Sequence, residues 1–201
     1  MSFHPKMAYG ATFHKSSRQL MEPGPPFAYT AERLARFETI VQRYPPDQRR
    51  SAVLPALYLV QDQQGYITAN SMRYVAGLLG ITPADVEDVV TYYTMFFTKP
   101  VGKFVLSVCR TLSCALNGAE RVTEEIRAAL GVQAGETDQT GSFTLLEVEC
   151  LGACDRAPVI MINDAWQEQQ RPEDVKRLLD DLRTRGEAAL TGCHHVVEKK
   201  A

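Results

Sequence analysis

Cysteines are the residues of this chain best suited to chemistry. Four of them fall into two short-range pairs, Cys109-x4-Cys114 and Cys150-x3-Cys154, while a fifth, Cys193, stands apart beside His194 and His195. A thiolate is a soft metal ligand and, when its pKa is lowered, a nucleophile. Four thiolates in two pairs form a ligand set for a [2Fe-2S] cluster, one iron to each pair. Zinc competes, since it also takes four thiolates, although its pairs usually sit in knuckle-like turns. The thiols could also be packing groups, because a free cysteine behaves as a small hydrophobe. Disulfide exchange prefers C-x-x-C at a helix N-terminus, a spacing that neither pair has. An odd count of five cysteines without a secretion signal points to a reducing compartment.

Positioning such pairs requires rigid elements, and the period of the sequence changes where the first pair begins. Lys103 to Val108 is rich in β-branched and aromatic residues and ends directly at Cys109; Phe143 to Glu149 reads the same way and ends at Cys150. Two strands of one sheet would therefore deliver the two pairs. Ala115 to Leu130 carries Leu116, Ala119, Val122, Ile126 and Leu130 on one face, which predicts a helix closed by Gly131. Val159 to Ile162 is a third strand, the Asn163-Asp164 turn folds it into a hairpin with Trp166, and a last helix opens at Pro172 and Glu173. The order β-α-β-β-β-α is that of a small α/β sandwich. The loop Cys150-Leu151-Gly152-Ala153-Cys154 uses small residues, which let backbone N–H groups approach cluster sulfurs and tune their potential.

Upstream the pattern is helical. Leu34, Phe37, Ile40, Val41 and Tyr44 share one face after Thr30, and Pro45-Pro46 ends that segment. Asp47 can cap a second helix that runs to Gly65, with Pro55 expected to kink it. Thr68 or Asn70 caps a third, closed by Gly80, and Thr82-Pro83 with Asp85 opens a fourth that should run through Phe96 and Phe97 to the break at Lys99-Pro100. The expected organisation is a flexible lead-in over 1–29, a four-helix region over 30–98, the α/β domain over 102–185 and a flexible tail over 186–201. Tyr58, Tyr74, Tyr92, Tyr93, Phe96 and Phe97 exceed what four short helices can bury, so part of that surface is expected to face a partner. Met95, at helical spacing, reads as packing.

Composition removes several function classes. Among 201 residues, 22 Lys and Arg against 24 Asp and Glu leave a net charge of −2, which offers no basic field for nucleic acid. No apolar run reaches the roughly 20 residues that span a bilayer. No G-x-G-x-x-G follows a strand and no phosphate-cradling G-x-x-x-x-G-K-S/T loop is present, so a dinucleotide must bind elsewhere. His4 and His14 lack neighbouring ligands, and Cys193-His194-His195 follows Gly186 and Gly192 in a stretch without core periodicity, which reads as a solvated tail. Arg110 and Arg156 each adjoin a cysteine and would raise a cluster's potential, whereas Glu147, Glu149 and Asp155 would lower it.

The motifs Cys109-Arg110-Thr111-Leu112-Ser113-Cys114, Gly135-Glu136-Thr137, Val148-Glu149-Cys150-Leu151-Gly152-Ala153-Cys154 and Ala157-Pro158, with Tyr58-Leu59-Val60-Gln61 and Val89 to Phe96 upstream, resemble one family over about residues 30–185. That family is the thioredoxin-like [2Fe-2S] subunit of respiratory complex I, the NADH:quinone oxidoreductase. The resemblance implies a thioredoxin-like [2Fe-2S] ferredoxin domain behind the helical region. It implies one [2Fe-2S] cluster held by Cys109, Cys114, Cys150 and Cys154, and an electron-carrying role without a catalytic NADH site on this chain. It further implies a flavoprotein partner that binds FMN and NADH, other peripheral-arm subunits, and a peripheral place on the cytoplasmic face of a bacterial inner membrane rather than the mitochondrial matrix side. Related subunits serve soluble NAD-linked hydrogenases and formate dehydrogenases, and a zinc-binding assembly module is the reading from another class.

Overall fold

The computed structural model describes residues 23–190. They divide between Pro100 and Val101 into two compact units, a helical one and an α/β one. His4, His14, most of the expected lead-in and Cys193-His194-His195 lie outside the described residues.

The helical unit contains α1 (Ala31–Val41), α2 (Val53–Gln64), α3 (Ala69–Leu79) and α4 (Pro83–Tyr92). Polar caps start three of them. Thr30 accepts from the Arg33 N–H, and Thr68 with Ser71 and Thr82 with Asp85 form reciprocal capping boxes. Their apolar faces bury Phe37, Leu57, Val60, Val75, Val86 and Val90 in one core. Two residues assigned from sequence to the flexible lead-in join this core: Phe27 packs against it, and Tyr29 is buried, its hydroxyl donating to the Ala56 carbonyl at 2.7 Å and its ring meeting Tyr74 edge-on. Aromatic burial outweighs the turn-forming composition there.

Two helix expectations change. Pro55 does not kink a helix, because a 3₁₀ turn (Pro46–Ala52) precedes α2 and Pro55 falls in the first helical turn, where its missing N–H has no partner to lose. The fourth helix stops at Tyr92 instead of reaching Phe97, and Tyr93 is extended. Gln61 of α2 explains the stop: its side-chain amide donates to the Met95 carbonyl at 2.9 Å and accepts from the Phe97 N–H at 2.8 Å. The Ile67 N–H takes the Phe97 carbonyl at 2.7 Å. This turn drives Phe96 into the core against Tyr58. Of the six aromatic residues expected to be in surplus, only Tyr92 is strongly exposed; Met95, read as packing, is on the surface.

The α/β unit is a four-stranded mixed sheet in the order β2-β1-β3-β4, with β1 (Phe104–Cys109), β2 (Phe143–Val148), β3 (Ile160–Ile162) and β4 (Ala165–Gln167). β1 and β2 are parallel, joined through α5 (Leu112–Leu116) and α6 (Ala119–Leu130); β3 is antiparallel to β1 and forms the hairpin with β4. Helix α6 and the last helix, α7 (Val175–Arg185), share a core with Phe104, Leu106, Val108, Leu145 and Ile160. The single helix expected over 115–130 is two, because Gly118 at φ +94 occupies a left-handed conformation that breaks the helical ladder. Gly186–Ala189, assigned from sequence to the tail, form a 3₁₀ turn with Ala189 buried in this core.

Candidate metal centre

The parallel pairing of β1 with β2 creates the site. Its register runs from Phe104 opposite Phe143 to Cys109 opposite Val148, so both strands end at the same edge, and Cys150 follows two residues beyond Val148. Parallel strands must share their C-terminal edge, and the two cysteine loops leave from it together. Three backbone and side-chain bonds fasten them. The Arg110 N–H donates to the Val148 carbonyl at 3.0 Å, the Cys109 N–H to the Val159 carbonyl at 3.1 Å, and the Ser113 hydroxyl to the Cys154 carbonyl at 2.9 Å.

The two pairs differ in setting. Cys109, at the end of β1, and Cys114, inside α5, are buried; Cys150 and Cys154 are exposed. Cys150 Sγ and Cys154 Sγ lie 3.4 Å apart. Gly152, at φ +82, turns the loop so that its N–H donates to Cys150 Sγ at 3.4 Å. A side chain there would meet open space, so conformation rather than room calls for glycine.

The two thiols of each pair are pushed in opposite directions. Burial opposes the Cys109 thiolate, but the Thr111 hydroxyl and N–H, the Leu151 N–H and Cys114 together hold this thiol below its ordinary value. Burial, with Cys109 beside it, pushes Cys114 up to about 11. The Gly152 N–H, then Cys154 and Thr111, lower Cys150, whereas the hydrogen bond and charge of Cys150 raise Cys154. Metal ligation replaces the protons of such thiols, so a bound cation would override these shifts.

This donor set fits a [2Fe-2S] cluster. Two pairs of sulfurs sit side by side, and the N–H groups of Leu151, Gly152 and Val159 point at them as they would at anionic cluster ligands. Among the described residues no three Cys, His, Asp or Glu side chains gather into a group that could hold one metal ion. A binuclear cluster takes one cysteine pair per iron.

The two arginines beside the cysteines are each paired with carboxylates. Arg110 pairs with Glu149 at 2.8 Å, and Arg156 with Glu168 at 2.9 Å and Asp155 at 3.3 Å. Sequence reasoning passed over Thr111 and Ser113, the two hydroxyls inside the first cysteine loop; the signal available was a pair of donors lying between ligand-type residues. Leu112 and Leu116, four apart on α5, are 74% and 78% exposed and present an apolar face on the same short helix as Cys114.

Residues 37–183 match the thioredoxin-like [2Fe-2S] ferredoxin family. The chain is 39% identical over 158 residues to a subunit of the NADH-quinone oxidoreductase of Rickettsia bellii, covering 78% of this chain and 95% of that one. It is also 39% identical over 170 residues to the subunit of the same name from Mycobacterium tuberculosis, covering 83% of this chain and 67% of the relative. To the mitochondrial NADH dehydrogenase [ubiquinone] flavoprotein 2 of Dictyostelium discoideum it is 40% identical over 159 residues, 79% of this chain and 64% of the relative. A solved NAD+-reducing [NiFe]-hydrogenase superposes with a TM-score of 0.59 at 16% identity, over 66% of this chain and 23% of the hydrogenase chain. That likeness is one of fold.

Proposed function

We propose, from the premise that this chain belongs to the thioredoxin-like [2Fe-2S] ferredoxin family, that it is an electron-transfer subunit of an NADH:quinone oxidoreductase. The observation that carries the reading is the in-register end of β1 and β2, which brings two thiol pairs to one edge under backbone N–H donors. Cys109 and Cys114 would hold one iron, Cys150 and Cys154 the other. When bound, the cluster supplies a store for one electron at a time.

The residues of this chain set the conditions for that store. Burial of Cys109 and Cys114 keeps water from one side, while exposure of Cys150 and Cys154 opens the other to an electron partner. The α5 leucines beside the first pair supply apolar surface for such a contact. FMN and NADH belong to a flavoprotein partner in this reading, since the sequence has no phosphate-cradling loop. Among the described residues no helix is long and apolar enough to cross a membrane, and a peripheral position on its cytoplasmic side is proposed. The 39% identical relatives favour this over a hydrogenase subunit, for which the fold alone speaks.

The test uses the assembled complex. Membranes whose only copy of this chain carries Cys150→Ser and Cys154→Ser should lose most NADH-driven quinone reduction. Full activity in those membranes would refute the role.

A further inference from the structure

Thr111 stands immediately before α5 in extended backbone (φ −76, ψ 170). From that position a threonine hydroxyl ordinarily accepts a hydrogen bond from an N–H of the first helical turn. Here it makes no such bond. The hydroxyl is turned instead toward sulfur: Oγ1 lies 3.2 Å from Cys109 Sγ, and it also neighbours Cys150, a member of the other pair. The side chain is half-buried, which limits competition from water.

A sulfur that ligates iron carries no proton, so at this contact only the hydroxyl can donate. Hydrogen bonds to cluster sulfurs are one of the protein's levers on potential, because the reduced form places more negative charge on those atoms. The nearby cations supply little net charge, as Arg110 and Arg156 are matched by Glu149, Glu168 and Asp155. We propose that Thr111 is a positioning residue for the electron store: its hydroxyl, withdrawn from helix capping, donates to Cys109 Sγ and shifts the cluster toward its reduced state. This inference rests on the reading of the four cysteines as cluster ligands.

The test compares the full chain with Thr111→Val, which keeps the shape and removes the donor, and with Thr111→Ser, which keeps the donor. Iron and sulfide content is measured first; a wild-type chain that holds no cluster overturns the ligand reading and this inference with it. Redox titration followed by EPR then isolates the inference. Thr111→Val should shift the equilibrium toward the oxidised form by roughly tenfold, about 59 mV for one electron, while Thr111→Ser stays within threefold of wild type. A Thr111→Val shift below threefold, or an equal shift in Thr111→Ser, would overturn the proposal. If Thr111→Val does not retain the cluster, Thr111→Ala replaces it. Loss from both variants lacking the hydroxyl with retention in Thr111→Ser supports the donor, and loss in Thr111→Ser as well overturns it.

Discussion

Replacing Cys109 and Cys150 by serine should have the same effect on the loaded protein and different effects on the metal-free one. Each change removes one of the four sulfurs, so both should strip or severely disturb the cluster. Without metal the burial of the two sites decides. Cys109 is 1% exposed, in the core with Val108 and Ala153, and a serine there puts a hydroxyl where a thiol packed. Burying a hydroxyl costs roughly 1–3 kcal/mol in proteins. The Thr111 hydroxyl, 3.2 Å from the sulfur, can take back part of this, leaving an expected loss of about 1–2 kcal/mol. Cys150 is exposed, and Cys150→Ser should stay within about 0.5 kcal/mol of the parent. Trp166, the one tryptophan of the chain, sits half-buried in β4 of the same unit and reports its unfolding by fluorescence. With a urea slope of about 2 kcal/mol per molar, the Cys109→Ser midpoint should fall by roughly 0.5–1 M and the Cys150→Ser midpoint should hardly move. Equal midpoints for the two variants would refute the argument from burial. A full iron content with the unaltered wild-type spectrum in either would refute the ligand assignment.

Three further outcomes are expected. Gln61→Ala removes two of the bonds that pin the turn after α4, and should cost about 1–2 kcal/mol in thermal or urea unfolding of the helical unit; a neutral result would mean that Phe96 and the Ile67–Phe97 bond suffice to hold the turn. Gly152→Ala forces an L side chain to φ +82 and should cost about 1 kcal/mol while loosening the Cys150 loop, seen as faster cluster loss to a chelator; unchanged kinetics would contradict the role given to that turn. Calorimetry on the isolated chain should detect neither NADH nor FMN binding at micromolar concentration, and tight binding of either would place a nucleotide site on this subunit.

The chemistry of the site was legible because it is written at short range. The cysteine spacings, the β-rich runs that end at them and the Asn163-Asp164 turn are local signals, and they foretold a β-α-β-β-β-α order that the sheet reproduces. The cap at Thr82 was equally local, and Thr68 was one of the two caps read for α3. What the sequence did not disclose depends on partners distant along the chain. Gln61 captures Met95 and Phe97 from more than 30 residues away and ends α4 early, which carries Phe96 into the core. Tyr29 gains its carbonyl partner only once α2 is in place. Gly118 was missed for a different reason: a glycine inside an amphipathic pattern is tolerated or breaks the helix according to a backbone angle that periodicity does not encode. The Thr111 hydroxyl has two lawful uses, cap or sulfur donor, and its orientation chooses between them.

The central claim, a binuclear iron cluster that stores one electron, is tested most directly by iron, zinc and acid-labile sulfide analysis of the full-length chain together with EPR before and after dithionite reduction. The account predicts roughly two irons and two sulfides per chain, a red-brown oxidised protein without an EPR signal, and a single-electron paramagnetic signal on reduction that integrates to about one spin per chain. A colourless protein with about one zinc and no sulfide, silent under both conditions, would contradict it.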